Sequence, residues 1–286
     1  MAPYLSGVEV VELDIRDTDG FVGLVDRVRP DDVYNLAAMS SVARSWEHPA
    51  EALEINGAAP ARMLEVLARH PGIRFLQAAS AEETAAAKDS PYAQGKIRAR
   101  AAVDAARADG RFACAAVLHI HESILRPRSF VSRKVTRTAA EIALGRADRL
   151  TLGPLDVRRD WGSAVDHVRA MRTIMEADEP ADYVVGTGVV HSLRELVQVA
   201  FATVGIDDPW ALVDHDPALS RPSDAALIAH APEPPVQQLG WEPLHAFETT
   251  IAHMTRVDLT RVTTGVEESE DYLDEGASVT APVPLT

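Results

Sequence analysis

Short apolar runs alternate with longer helix-like segments through the first part of the chain, and this alternation restricts the folds open to it. The run VEVVELDI is followed by the helix-like segment DTDGFVGLVDRVRP, which Pro30 closes, and by a second run, DDVYNLAA. The pattern continues with a helix-like segment over 49–70, a run over 73–80, a helix from Tyr92 to about Gly110 and a run over 112–120. Strands that alternate with helices form parallel sheets covered on both faces. The sequence therefore predicts an α/β fold.

The second half of the chain has a different pattern, in which short strands lie between helices. Helices are predicted over Arg133–Leu144 and Ala164–Met175 and from Ser192, which has capping-box spacing with Glu195. Regular periodicity is lost from Pro209 to Pro243. The last segment holds six acidic residues and no basic ones, so it buries too little apolar surface to offset its ordering entropy. We expect three regions, with bounds 1–128, 129–264 and a disordered acidic tail over 265–286.

The charge balance and the single cysteine exclude several classes of protein. The chain has 28 Lys and Arg against 43 Asp and Glu, a formal net charge of -15. A body this acidic repels nucleic acids and anionic membranes. Cys114 is the one cysteine, which rules out an intrachain disulfide framework and a multi-cysteine zinc site. No basic leader with an apolar core and no apolar run of about 18 residues occurs. We therefore expect a cytoplasmic protein that binds neither nucleic acid nor membrane.

The segment SPYAQGK contains the pattern most typical of a proton-handling site. Tyr92 and Lys96 are four residues apart on one helix face, and Ser80 and Glu82 end the strand before that helix. An ammonium group one helical turn away favours the phenolate, so Tyr92 is predicted to act as a base near neutral pH. The spacing Y-x-x-x-K also occurs by chance in many helices. Its position after a strand that ends in Ser-Ala-Glu favours the catalytic interpretation.

Several blocks in a fixed order resemble the extended short-chain dehydrogenase/reductase family and, within it, the GDP-mannose 4,6-dehydratases. The blocks are VYNLAAMSSV, FLQAASAEE, SPYAQGK, HESILRPRSFVSRK, LGPLDVRRDWG, VVGTGVVHSLRELV, SRPSD and LGWEP. The resemblance runs from about Val10 to about Val257. It implies a Rossmann-like doubly wound parallel sheet, with dinucleotide binding over 1–128 and nucleotide-sugar binding mainly over 129–264. It also implies a homo-oligomer, either a dimer or a tetramer.

The resemblance assigns roles to the four residues of the proton-handling group. It implies that Tyr92 takes the proton from the sugar 4-hydroxyl, while Lys96 lowers the pKa of Tyr92 and holds the cofactor ribose. Ser80 would orient the same hydroxyl. Glu82 would remove the proton from sugar carbon 5 and help expel the carbon 6 hydroxyl as water, which suits a carboxylate that accepts and then donates a proton. The implied product is a 4-keto-6-deoxy sugar.

The same resemblance implies the binding residues. Those expected to contact the NADP cofactor, besides Lys96, are Asp14, Ile15, Leu36, Ala37, Ala38, Met39, Ser40, His121 and Arg126. Those expected to grip the GDP-sugar, because cationic side chains bind phosphate, are Arg133, Lys134, Arg158, Arg159 and Arg221. From the residues alone, strand-end core positions and solvated surface charges explain most of them. His119 and His121 alternate beside Glu122, but no further ligand cluster supports a metal, and none is expected.

The glycine-rich turn that such proteins place before their first helix is not found in this sequence. In the family, the amides of a G-x-x-G-x-x-G turn hold the dinucleotide pyrophosphate at a helix N-terminus. The chain begins at what resembles the family's third strand, so we expect an N-terminally truncated sheet and weakened or lost NADP binding. A partial gene, a partner chain and a remodelled protein are three explanations. The alternative function is a non-catalytic or cofactor-independent nucleotide-sugar-binding homologue. The pair Glu83-Thr84 also replaces the tyrosine-glycine that commonly follows the glutamate.

Overall fold

The computed structural model describes residues 3–83, 89–219 and 234–273. The strands are β1 (Asp32–Asn35), β2 (Arg74–Ser80), β3 (Ala113–Leu118), β4 (Ile120–Glu122), β5 (Leu150–Leu152), β6 (Arg158–Arg159), β7 (Trp161–Ser163), β8 (Tyr183–Val185), β9 (His191–Ser192) and β10 (Val213–His215). The α-helices are α1 (Thr18–Val28), α2 (Val42–Glu47), α3 (Pro49–Leu53), α4 (Ala59–Leu67), α5 (Pro91–Ala108), α6 (Val131–Ala143), α7 (Ala164–Met175), α8 (Leu193–Thr203) and α9 (Phe247–Thr264). Within these ranges, every helix is too short or too polar to span a bilayer.

The main sheet has four parallel strands in the order β1, β2, β3, β8. The apolar runs form its two inner strands, β2 and β3, because a strand flanked on both sides must be apolar on both faces. Cys114 lies fully buried in β3, and this burial raises the pKa of its thiol to about 11. Helices α4 and α5 pack against one face of β2 and β3, while α7 packs against the other face. The predicted parallel α/β sheet is therefore confirmed.

The strand predicted for the run VEVVELDI is wrong. The chain over 8–15 has no strand, and Val8, Val10 and Val11 are exposed. A strand needs a neighbouring strand to bond its backbone. Among the described residues the sheet ends at β1, which pairs only with β2. In the described part of the chain, β1 is therefore an edge strand of this sheet.

The C-terminal half packs its own core but also returns to the main sheet. Helices α6, α8 and α9 enclose a buried cluster that includes Leu150, Trp161, Phe201 and Ile251. Helix α7 and strand β8 lie against β3, so part of the chain after residue 129 completes the sheet of the first region. The three-region division stays a prediction. The capping box of α8 is present, with Ser192 and Glu195 bonded reciprocally as expected.

The first residues of the predicted acidic tail pack on the body, which differs from the expectation of disorder there. Glu267 pairs with Arg137, and the Glu267 carbonyl accepts a hydrogen bond from Arg261 Nε at 2.7 Å. Tyr272 is buried, and its hydroxyl donates to the Val266 carbonyl. Arginines of the body therefore hold the chain as far as Leu273, and residues 274–286 lie outside the described ranges.

Candidate active site

Three strands end at one edge of the main sheet, and each is followed by predicted site residues. The loop over 36–40 follows β1, a short 3₁₀ turn over Ala81–Glu83 follows β2, and β4 follows β3 after one residue. Because the strands are parallel, their carboxyl ends meet at this edge. Ligands of open α/β sheets bind in the crevice outside such ends. The topology thus places the predicted catalytic and cofactor positions together.

Helix α5 holds Tyr92 and Lys96 against the carboxyl end of β2. The helix begins after Ser90, whose hydroxyl accepts the Ala93 amide proton, and Pro91 occupies its first position. The Lys96 ammonium is 4% exposed, and its Nζ donates to the Ala78 carbonyl at 2.6 Å. Burial lowers the pKa of Lys96 to about 8. The lysine is therefore fixed beside the strand rather than mobile in solvent.

The Tyr92 phenol lies within hydrogen-bond reach of the Ser80 side chain. Burial raises the pKa of the Tyr92 phenol to about 12, and the charges of Glu82 and Glu83 add to the increase. The hydrogen bond with Ser80 acts in the opposite direction. The expected lowering of the Tyr92 pKa by Lys96 is thus not observed. The main reason is that burial disfavours the phenolate, to which the charges of Glu82 and Glu83 add, while Lys96 Nζ donates to the Ala78 carbonyl.

The turn after β2 carries two carboxylates. Ser80 Oγ accepts the Glu82 amide proton at 3.2 Å, which sets the start of the turn. Glu83 Oε1 accepts the Ser80 amide proton at 2.8 Å, and Glu83 Oε2 lies 3.5 Å from Arg100 Nη1. Glu82 is partly exposed, whereas the Glu83 side chain is 6% exposed. Glu83 is not among the residues predicted for the site, because two adjacent glutamates after a strand do not show which one turns inward.

The loop over 36–40 differs in exposure from residue to residue. Leu36 is 54% exposed, and Ala37 and Ser40 are also exposed, whereas Ala38 is partly buried. The Met39 side chain is buried. The Met39 amide donates to Asn56 Oδ1 at 2.7 Å, and Asn56 Nδ2 donates to the Met39 carbonyl. Asn56 belongs to a π-helical turn, Glu54–Ala58, that joins α3 to α4.

Asp14 and Ile15 lie in the irregular segment before α1. The Asp14 carboxylate accepts two hydrogen bonds from Arg16 Nε and one from Arg16 Nη2 at 2.6 Å. These hydrogen bonds lower the pKa of Asp14 to about 2. Ile15 is partly buried. The carboxylate is exposed, so a ligand that reached it would share it with Arg16.

His121 and Arg126 flank the far side of the edge. Arg126 Nε donates to Glu122 Oε2 at 2.8 Å, and its guanidinium lies over the Phe130 ring. His121 Nδ1 lies 2.9 Å from the His119 carbonyl oxygen. Burial lowers the pKa of His121. The structure therefore holds an uncharged imidazole and an ion-paired guanidinium at the end of β4.

The cationic side chains predicted to bind the substrate lie in different environments. Arg133 is 6% exposed, and its Nε lies 2.7 and 2.8 Å from the two Asp258 oxygens. Its Nη1 donates to the carbonyls of Ile124 and Arg126. Asp258 pairs with this buried guanidinium, and the assignment of Arg133 to phosphate binding stays a prediction. Lys134 Nζ donates to the Thr151 carbonyl at 2.7 Å.

Arg158 and Arg159 form β6, which pairs antiparallel with β9 just before β7 begins. Arg158 is exposed and Nη2 donates to the Val190 carbonyl at 3.0 Å, while Arg159 Nη1 donates to the Arg158 carbonyl. β7 in turn pairs with β4, so these arginines precede a strand that borders His121. Arg221 lies outside the described residues. In the described ranges, no group of three or more metal-ligating side chains is present.

Comparison with known proteins gives relatives over most of the chain. A family model described as GDP-mannose 4,6 dehydratase matches residues 3–254. The chain belongs to the GDP-mannose 4,6-dehydratase family. The GDP-mannose 4,6-dehydratase of Yersinia enterocolitica is 33% identical over 289 residues, covering 86% of this chain and 77% of the relative. GDP-mannose 4,6 dehydratase 1 of Arabidopsis thaliana is 34% identical over 264 residues, covering 86% and 73%.

Solved structures share the fold of this GDP-mannose 4,6-dehydratase family member. RMD from Pseudomonas aeruginosa complexed with NADPH has a TM-score of 0.73 at 21% identity, covering 90% of this chain and 92% of that one. The dTDP-glucose 4,6-dehydratase DesIV from Streptomyces venezuelae, with NAD and TYD bound, has a TM-score of 0.72 at 20% identity, covering 89% and 80%. The Rossmann-like fold predicted from the sequence is confirmed.

Membership of the GDP-mannose 4,6-dehydratase family also confirms the predicted relationship to nucleotide-sugar 4,6-dehydratases, which are lyases. The match to the family model includes Ser80, Glu82, Tyr92 and Lys96. The individual roles of these residues stay predictions.

Proposed function

We propose that this protein catalyses the 4,6-dehydration of GDP-mannose to GDP-4-keto-6-deoxymannose with NADP as its cofactor. The observation that carries the proposal is the grouping of Ser80, Glu82, Tyr92 and Lys96 at the carboxyl edge of the sheet. Tyr92 bonds Ser80, and Glu82 follows Ser80 in the same turn. A hydroxyl base and a separate carboxylate are the two proton-handling groups that this reaction requires.

The described residues fit the nicotinamide end of a dinucleotide. Lys96 and Tyr92 offer a cation and a hydroxyl at the edge, and Leu36 and Ala37 leave an exposed loop beside them. Lys96 would hold the ribose and the loop would flank the rest of the cofactor. When bound, a nicotinamide dinucleotide accepts a hydride from sugar carbon 4 and returns one to carbon 6. The related RMD and DesIV structures were solved with NADPH and NAD.

Tyr92 handles the proton of the sugar 4-hydroxyl. The phenol must ionise to accept that proton, and its raised pKa opposes this step. The hydrogen bond with Ser80 favours the ionised form, so Ser80 supports the base while it orients the substrate hydroxyl. The ammonium form of Lys96 supplies positive charge one helical turn away.

Glu82 handles the protons of carbon 5 and of the leaving water. A ketone at carbon 4 makes the neighbouring carbon 5 proton acidic, so a carboxylate can remove it. The resulting carboxylic acid then donates the proton to the carbon 6 hydroxyl, which leaves as water, and a solvent proton returns to carbon 5 when carbon 6 receives its hydride. Glu82 lies in the turn directly after Ser80, on the same side of the sheet as Tyr92, and its charge acts on the Tyr92 phenol.

The test is incubation of the purified 286-residue chain with GDP-mannose and excess NADP. The expected product is a GDP-4-keto-6-deoxy sugar that is lighter than the substrate by one water, detected by mass spectrometry. Parallel reactions with NAD and with dTDP-glucose test the cofactor and the sugar nucleotide. If no nucleotide-sugar loses water while GDP-mannose still binds in calorimetry, the non-catalytic alternative replaces this proposal.

We predict that Arg158 and Arg159 contact the diphosphate or nucleoside of the GDP-sugar. Each alanine variant is expected to weaken GDP-mannose binding by about 1.5–3 kcal/mol per lost charged hydrogen bond, roughly a 10- to 150-fold rise in Kd. Calorimetry measures the change, and Arg221→Ala extends the test beyond the described residues. Arg27→Ala is the matched control, since Arg27 lies in the last turn of α1, before β1 begins. Unchanged affinity in the variants assigns these arginines to the solvated surface.

We also propose that the protein works in the cytoplasm as a homo-oligomer, a dimer or a tetramer. The single buried thiol is compatible with a reducing compartment. The resemblance to short-chain dehydrogenases supports the assembly. Light scattering of the purified chain measures its mass in solution.

A further inference from the structure

Glu83 is a buried carboxylate next to the residue assigned to proton transfer. Its side chain is 6% exposed, although it lies in a turn at the edge of the sheet. Glu83 Oε1 accepts the amide proton of Ser80 at 2.8 Å, and the Ser80 hydroxyl accepts the amide proton of Glu82. These two hydrogen bonds close the turn from opposite directions. The position of Glu82 therefore depends on the side chain that follows it.

Arg100 connects Glu83 to Asp182, the residue directly before strand β8. Arg100 lies on α5 one turn after Lys96 and two turns after Tyr92, so the three side chains share one helix face. Its Nη1 lies 3.5 Å from Glu83 Oε2, and its Nη2 lies 3.2 Å from Asp182 Oδ2. The turn is thus tied through Arg100 to the helix that bears the tyrosine and lysine.

The charges around Glu83 offset part of the cost of burying its carboxylate. Burial raises the pKa of the Glu83 carboxyl, and the Ser80 amide, Arg100 and Lys96 act against this increase. Glu83 in turn favours the charged form of Lys96 and disfavours that of Tyr92. Two cations, Arg100 and Lys96, and the Ser80 amide therefore act on the Glu83 carboxylate. Its charge in turn acts on Tyr92, and Asp182 pairs with the same Arg100.

We propose that Glu83 is a positioning residue of this site, whose carboxylate, held by Arg100, fixes the turn that carries Ser80 and Glu82. The inference rests on the proposed function, because Ser80 and Glu82 are the groups assigned to the reaction. When the turn is displaced, both chemical groups are still present, but they are misaligned with the sugar. Misplacement of about 1 Å is enough to slow an enzyme by up to about 10²-fold.

The kinetic test compares Glu83→Ala with Glu83→Gln in the dehydration of GDP-mannose. Alanine removes the acceptor of the Ser80 amide, so kcat is expected to fall by about tenfold or more, with KM unchanged. Glutamine keeps a side-chain oxygen that can accept the same proton, so it is expected to recover most of the lost kcat. A loss confined to KM, or an equal loss in both variants, would overturn the proposal.

Two control variants separate positioning from general destabilisation. Asp182→Asn removes another acidic partner of Arg100 without touching the Ser80 amide, so it is expected to lower Tm but not kcat. Glu176→Gln removes a carboxylate that is 70% exposed at the end of α7, and neither quantity is expected to change. If Asp182→Asn lowers kcat as much as Glu83→Ala does, loss of the hydrogen bond from the Ser80 amide to Glu83 is not the cause of the lower kcat.

Nuclear magnetic resonance tests the same contact without any turnover. In the ¹⁵N-labelled wild-type chain, the Ser80 amide signal is expected to shift with pH as Glu83 ionises, because the amide donates directly to that carboxylate. The shift should vanish in Glu83→Gln and persist in Glu82→Gln. A Ser80 signal that does not titrate overturns the proposal. If the wild type makes no product but the Ser80 amide signal shifts with pH as expected, the proposed reaction is wrong while the contact between Glu83 and the Ser80 amide is confirmed.

Discussion

Replacing Glu82 with glutamine is expected to slow loss of water from the sugar by about 10²–10⁴-fold while leaving oxidation at carbon 4 in place. The amide has the size of the carboxylate but cannot accept the carbon 5 proton. In deuterated water, wild type should incorporate deuterium at carbon 5 and the variant should not. Mass spectrometry of the product measures both the rate and the label.

The result depends on whether the ketone still forms. Trapping with borodeuteride labels carbon 4 only where a ketone is present, and the Glu82→Gln reaction is expected to give that label on a sugar that keeps its 6-hydroxyl. Glu82 is only a turn carboxylate, and the dehydratase assignment of this site is wrong, if the variant forms product at the wild-type rate.

Tyr92→Phe is expected to stop the reaction one step earlier. Phenylalanine lacks the hydroxyl that bonds Ser80 and takes the 4-hydroxyl proton, so no ketone should form. The borodeuteride experiment should then give unlabelled sugar. Label at carbon 4 in this variant would show that another group takes the proton. Comparison with Glu82→Gln therefore establishes the order of the two proton transfers.

Asp258→Ala is expected to lower the free energy of unfolding by about 3–5 kcal/mol. Asp258 is fully buried and faces two arginines, with Arg133 Nε at 2.7 Å and Arg261 Nη1 at 3.3 Å. The variant leaves both guanidinium groups buried without this carboxylate. Urea unfolding followed by circular dichroism measures the loss.

The matched control is Asp214→Asn, which breaks an ion pair with Arg149 at the surface. Both side chains of that pair are about half exposed, so little change in unfolding is expected. An equal effect of the two variants would mean that burial of the Arg133–Asp258 pair contributes nothing to the stability of the helices around it.

Local signals in the sequence predicted three helices of the second half, with α7 at its observed bounds and α6 and α8 within two residues of theirs. Ser163 caps α7 through a hydrogen bond to Val165, and the capping box of Ser192 and Glu195 starts α8. Such contacts span only a few residues, so they can be read along the chain. Helix α9, which we did not predict, is rich in threonine, a residue of lower helix propensity. Its stability comes from burial of residues such as Ile251 and Met254.

Distant contacts explain the errors in the sequence analysis. The alternation in VEVVELDI is typical of a strand, but pairing depends on a neighbour that the local pattern does not contain. Arg133 lies in a block expected to bind phosphate, and the local pattern does not show its ion-pair partner Asp258, which lies 125 residues later. The same limit applies to Glu83, whose partner Arg100 lies on the next helix. The proximity of Ser80 and Tyr92 could be predicted because one ends a strand and the other starts the next helix within a short stretch.

The burial of Cys114 gives the protein a useful chemical property. Its thiol is the only one in the chain, has no exposed surface and has a raised pKa, so almost none of it is the reactive thiolate at neutral pH. A maleimide dye added to the folded protein therefore finds no accessible target. A cysteine introduced at an exposed position becomes the single site for a fluorophore or spin label, without first removing the native one.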